Sequence, residues 1–198
     1  GLLPQARVAL QIRPPALLLI GAGVLAAGPA ADVWLSRFLE ADCRLVYMPG
    51  DSLRAADPAY ARPGDVVSFA DAFPVLLAAE ASLADLNRRL AVPVPMERFR
   101  PNLVVRGTEP YAEDGWRRIR IGEVTFRVVK PCARCVVTTV DPATGVPGKE
   151  PLRTLSRYRK QGDKVYFAQN LIPDAPGTIR RGDAVEVLET GPPLFAQA

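Results

Sequence analysis

What most constrains this chain is the shortness of its apolar runs. Residues 8–12, 17–20, 45–48, 66–69, 103–106, 119–121, 125–129, 136–140, 165–168 and 184–188 are rich in Val, Ile and Leu, and turn residues separate them. Runs of this length and composition predict strands, and strands this numerous predict a β-barrel or a strongly bent sheet. Gly122 and Glu123 lie between two runs and predict a tight hairpin. Gly182 and Asp183 introduce the last strand, with Val185 and Val187 inward and Glu186 and Glu189 outward. Helical spacing predicts two helices. Asp32 caps 33–41, whose Trp34, Leu35, Phe38 and Leu39 form an apolar stripe. Ser82 caps 83–90, with Leu83, Leu86 and Leu90 on one face, Asp85 completing an acidic capping box and Pro93 and Pro95 beyond the end. A weaker helix covers 152–159. The fold class is therefore mixed α/β.

With 198 residues, 48% of them hydrophobic, the chain is large enough for one full domain and a smaller piece. Residues 49–65 are polar, rich in Pro and Gly, and long for a loop, so they separate two structural units or cover a site. The apolar run 16–28 is shorter than the roughly 20 residues a bilayer needs, so no membrane is expected; it reads as two short strands around Gly21–Gly23. The chain starts at Gly1, directly before strand-like sequence, and is expected to be a fragment of a longer protein. Of three cysteines Cys43 stands apart, so no disulfide framework is expected, which suits a reducing, cytoplasmic setting. The net charge of +4 comes from scattered Arg without an aromatic-interleaved stripe, so nucleic acid is not an expected partner.

There is no His. That removes Ser-His-Asp and Cys-His nucleophile systems, histidine zinc sites and histidine acid–base chemistry. The densest segment in functional groups is KPCARC at 130–135. A zinc site would need two more soft or imidazole ligands than are available. A thioredoxin-like pair should open a helix, whereas residues 136–140 predict a strand. A third reading has one thiolate ligating a soft metal, favoured by Arg134 and Lys130, with the other cysteine structural. Two buried cysteines at a strand end remain a fourth.

Several motifs resemble one family in order and spacing. They are FRPNLVV at 99–105, YAEDGW at 111–116, IRIG at 119–122, PCARCVVTTVDPATG at 131–145 and EPLRTL at 150–155. FADAFP at 69–74 and EASLADLN at 80–87 extend the match to nearly the whole chain. The family is the MOSC domain, in the branch of bacterial reductases of N-hydroxylated compounds and the mitochondrial amidoxime-reducing component. The resemblance implies a MOSC β-barrel with flanking helices over 63–192, preceded at 1–62 by a remnant of the family's N-terminal β-barrel domain.

It also implies a molybdenum cofactor, Mo-molybdopterin, whose metal Cys135 ligates as the catalytic residue, with Cys132 as its non-ligand companion. Ala72, Phe73, Arg100, Asn102, Arg134 and Asn170 match cofactor-binding positions, and Asp71 lies beside them. Arg suits the cofactor's phosphate, and Asn offers donor and acceptor to a heterocycle edge. The implied activity is reduction of N-hydroxylated substrates, such as hydroxylamino bases and amidoxime-like compounds, to amines. Electrons would come from a ferredoxin- or flavin-type donor protein. The family's Pro-Val-Lys-Ser-like first strand, whose Lys and Ser contact cofactor, has no counterpart in this sequence. The rival reading is a non-catalytic module that carries cofactor or sulfur.

Overall fold

A computed structural model describes the backbone of residues 7–12 and residues 25–195 in full. The chain divides into two compact units, Gly1–Ala72 and Phe73–Ala198.

In the first unit, β1 (Arg7–Ile12), β2 (Leu25–Ala26) and β3 (Cys43–Met48) form an antiparallel sheet in the order β1-β3-β2. Helix α1 spans Pro29–Phe38, starting four residues before the expected 33–41. Pro29 opens it, where a missing N–H costs nothing. Asp32 is therefore not the cap. It sits in the first turn and accepts the Leu45 N–H at 2.9 Å, tying α1 to β3. The expected apolar stripe is on the surface. Trp34 and Phe38 are 63% and 71% exposed and stack at 5.5 Å. Residues 66–69 form no strand; Val66 makes one isolated bridge, to Ala55. The strands expected at 17–20 and around Gly21–Gly23 lie outside the described residues.

The second unit holds β4 (Val75–Ala79), α2 (Glu80–Arg88), β5 (Leu103–Val105), β6 (Trp116–Ile121), β7 (Val124–Ala133), α3 (Leu152–Leu155), β8 (Lys160–Gln161), β9 (Lys164–Pro173) and β10 (Val185–Thr190). The sheet runs β10-β6-β7-β9-β4-β5, with β8 paired to β9. It curls into a half-barrel, so that edge strands β5 and β10 both border one cleft of about 930 Å³. Bulges in the β7–β9 and β10–β6 ladders supply curvature. Strand β10 does not show the burial alternation expected of it: Val187 is 40% exposed although it pairs in register with Ile119.

Two cores flank this sheet. Leu77, Ile119, Phe126 and Leu171 belong to one of them. Ala78, Leu86, Phe99, Leu155 and Phe167 belong to the other, which α2 and α3 cover. Helix α2 begins at Glu80, with Ala79 as N-cap, so Ser82 lies inside the first turn and its hydroxyl serves elsewhere. Among the described residues no helix is long and apolar enough to cross a membrane.

Candidate functional site

Strand β7 ends at Ala133, and the two cysteines around that end have different surroundings. Cys132 is half-buried, and Arg134 Nη1 donates to its Sγ at 2.9 Å. The same guanidinium donates from Nη2 to the Phe99 carbonyl at 2.8 Å and lies 5.5 Å from the Phe99 ring centre. Cys135 is exposed. Arg134 was expected beside Cys135; its guanidinium engages Cys132 instead. Cys43, Cys132 and Cys135 are all unbridged.

Residues 136–140 are not the strand that their β-branched composition predicts. Val136–Thr139 is a 3₁₀ turn with Cys135 as its N-cap. Thr138 Oγ1 donates to the Cys135 carbonyl at 3.0 Å, and Thr139 Oγ1 to that of Val136 at 2.7 Å. Threonine hydroxyls that satisfy nearby carbonyls stabilise a turn where no partner strand is available. The thiol is thus presented at the head of a turn, with its own carbonyl occupied.

The neighbouring loop is built by another 3₁₀ turn, Met96–Phe99, closed by Arg100 in the left-handed region at φ 52°. That conformation is unfavourable for a residue with a Cβ, and here the fully buried Phe99, stacked on Phe167 at 4.1 Å, holds it. Arg100 is exposed. Asn102 exchanges two bonds with Leu76: its Oδ1 accepts the Leu76 N–H at 2.8 Å, and its N–H donates to the Leu76 carbonyl at 2.8 Å. This pair starts the β4–β5 ladder and leaves the Asn102 amide nitrogen with no described acceptor.

Two ties join this loop to the cysteine loop, Arg134 to the Phe99 carbonyl and Arg98 Nη2 to Asp141 Oδ2 at 3.0 Å. Two backbone N–H groups, of Ala143 and Thr144, hold the Asp141 carboxyl below its ordinary range, with Arg98 assisting. Across the sheet, Asn170 pairs in register with Leu76 on one side and Lys130 on the other. Lys130 Nζ lies 5.7 Å from the Phe73 ring centre. The second unit therefore brings Arg100, Asn102, Arg134, Cys135, Asn170 and Phe73 onto connected elements. Asp71 and Ala72 end the first unit. There the Ala72 carbonyl accepts the Asp57 N–H at 3.1 Å, and Arg54 binds the carbonyls of Ser68, Ala70 and Asp71. That Arg54 clamp had no signal in the sequence.

Behind the site lies a buried polar framework that sequence reasoning missed. Asp114 accepts both Arg159 nitrogens at 2.6 and 3.0 Å and Gln169 Nε2 at 2.6 Å. Arg159 is fully buried, between the Tyr111 and Phe195 rings at 4.4 and 4.3 Å. Glu113, next to Asp114 in the chain, has a separate contact, accepting the Ser82 hydroxyl at 2.7 Å, while Ser82 Oγ accepts the Tyr111 N–H at 2.8 Å. Burial raises the Glu113 pKa. Burial and the Tyr158 hydroxyl raise that of Tyr111. Asp85 would be raised by its burial, but bonds from Arg89, Tyr111 and Arg88 hold it below the usual range. The framework locks Gln169, next to Asn170, against the 3₁₀ turn Ala112–Gly115. Two adjacent acids, Glu113 and Asp114, were its only visible trace.

The donor set fits an anionic, acceptor-rich ligand. Arg134 Nε and Arg98 Nε and Nη1 are buried and have no partner. Arg100 and Asn102 are exposed, and the Cys135 thiol suits a soft metal. Among the described residues no group of three His, Cys, Asp or Glu is placed to hold a metal ion.

Comparison with known proteins follows the same lines. The MOSC domain family matches residues 64–186. Human mitochondrial amidoxime-reducing component 1 is 42% identical over 176 residues, covering 81% of this chain and 52% of that protein. The mouse protein of the same name is 43% identical over 175 residues, covering 81% and 51%. Rat mitochondrial amidoxime reducing component 2 is 44% identical over 128 residues, covering 60% and 38%. The chain spans about half the length of the first two relatives.

Proposed function

We propose that this chain, which belongs to the MOSC domain family, is the cofactor-bearing part of a molybdenum-dependent reductase of N-hydroxylated compounds. The observation that carries the reading is the unlike surroundings of the two cysteines: Arg134 engages Cys132, while Cys135 is exposed at the head of a turn. A disulfide-cycling pair needs two sulfurs available to each other; a single-ligand site needs one.

Cys135 Sγ would ligate the metal, and Arg100, Asn102, Arg134, Asn170 and Phe73 would hold the pterin and its phosphate. Bound there, the cofactor would supply the two-electron chemistry that cleaves the N–O bond. The reaction balances as R–NHOH + 2 e⁻ + 2 H⁺ → R–NH₂ + H₂O. The chain's own residues contribute position: the Arg134–Phe99 and Arg98–Asp141 ties fix the two loops. The Asp114–Arg159–Gln169 framework fixes β9 behind them. Preorganisation of this kind spares the reorganisation cost at the moment of reaction.

Three variants in the full-length protein test the assignment. Cys135→Ser is expected to lower molybdenum content by an order of magnitude or more and abolish turnover, with the unfolding midpoint unchanged. Cys132→Ser retains most of both, and Arg134→Ala falls between. Equal loss from the two serine variants without unfolding would overturn the single-ligand assignment. Molybdenum retained without turnover on hydroxylaminopurine, given a competent reductant, would favour the carrier reading.

A further inference from the structure

The basic character of the chain is concentrated around Cys135. Between residues 130 and 165 there are eight Lys or Arg and three Asp or Glu, a surplus of five in a chain whose whole net charge is +4. The rest of the sequence is close to neutral. Arg159 is buried on Asp114, but Lys149, Arg153, Arg157, Lys160 and Lys164 are exposed. Lys149, Arg153 and Lys160 line a cleft of about 490 Å³ together with Val136, the residue bonded to Cys135. Asp163 lines the same cleft, and Glu150 lies 4.0 Å from Arg153. Val136 and Val137 are 64% and 43% exposed, so the valine that lines the cleft and its chain neighbour both present apolar surface directly after Cys135 in the sequence.

An apolar centre with a polar rim is the usual anatomy of a docking surface, and this rim carries three cations, Lys149, Arg153 and Lys160, against one acid, Asp163. The rim raises the encounter rate with a partner of opposite sign, and salt attenuates that gain. Resting on the reductase reading, the site must receive two electrons per turnover from a donor.

We propose that Val136 and Val137, rimmed by Lys149, Arg153 and Lys160, dock an acidic electron-carrier protein beside Cys135. Two carrier molecules, each oxidised by one electron, would supply one turnover; the two protons come from solvent and the oxygen leaves as water.

The test uses cofactor-loaded full-length protein and a [2Fe–2S] ferredoxin of strongly negative net charge. In the triple variant K149E/R153E/K160E the KM for ferredoxin is expected to rise tenfold or more, and its salt dependence to flatten. Turnover driven by dithionite-reduced methyl viologen should be unchanged, because that small donor needs no docking surface. Calorimetric titration of ferredoxin into the metal-free protein should show binding that the triple variant loses. The neutral variant K149Q/K160Q, with a smaller rise in KM, serves if the triple variant misfolds. Unchanged ferredoxin KM and binding in either folded variant would overturn the proposal. So would viologen-driven turnover without ferredoxin binding, or tight binding of duplex DNA in place of ferredoxin. Absence of viologen-driven turnover in molybdenum-loaded protein would instead overturn the reductase reading, and the titration would still decide the surface.

Discussion

Glu113 shows how a single side chain serves the fold at a pH-dependent cost. Its carboxyl is 1% exposed, one oxygen accepts the Ser82 hydroxyl, and the other has no partner. Burial raises its pKa, so the folded state disfavours the charged form more than the unfolded chain does. The sign follows from linkage. The contribution is fully present below the unfolded carboxyl value, near pH 4.3, and is lost as pH rises through the folded value. Glu113→Gln keeps an oxygen for Ser82 and cannot ionise. Denaturant midpoints at pH 5 and pH 8 should therefore fall less for Glu113→Gln than for the wild type. An equal fall in both would mean that Glu113 does not titrate in that window.

At the scale of elements, the β6–β7 hairpin shows a turn that the sequence specified closely. Gly122 has φ 54°, where a Cβ is unfavourable. A Cβ there would also collide with the Asp183 carboxylate and stand 3.0 Å from the Thr178 carbonyl. Gly122→Ala should cost about 1–3 kcal/mol, read as a lowered thermal midpoint. Cys135 is far along the chain from this end of the hairpin, so the accessibility of its thiol to an alkylating probe in the folded fraction should not change. Strand β4 is the opposite case. Its VLLAA run carries no alternation, because it lies between β5 and β9 with Leu77 on one core and Ala78 on the other. A run buried on both faces has no period to read. Helix α1 failed differently: its apolar spacing was legible, but spacing does not say that the face is buried.

At the scale of the molecule, the two units have separate hydrogen-bonded sheets, and the two clusters found among the described residues lie in the second. A unit with its own core folds alone. Residues 73–198 expressed without the first unit should give a single cooperative unfolding transition, with coincident midpoints by near- and far-ultraviolet circular dichroism. Separated midpoints would show that the half-barrel depends on residues 1–72 for its packing. The Arg134–Phe99 and Arg98–Asp141 ties lie within the second unit and should remain.

The sequence by itself determined the strand-rich class, the Gly122 hairpin, the absence of histidine chemistry and the order of the motifs that mark the family. These properties are carried by residue types and short spacings. Only the tertiary structure decided that Arg134 engages Cys132 and not its neighbour Cys135, and that Thr138 and Thr139 make a turn where β-propensity predicts a strand. It alone brought Asp114 to Arg159 and Gln169 across 45 and 55 residues. It also gathered Lys149, Arg153 and Lys160 around one cleft. Each is a contact between groups whose distance depends on how the sheet curls, and local propensity carries no information about which distant partner a side chain will meet.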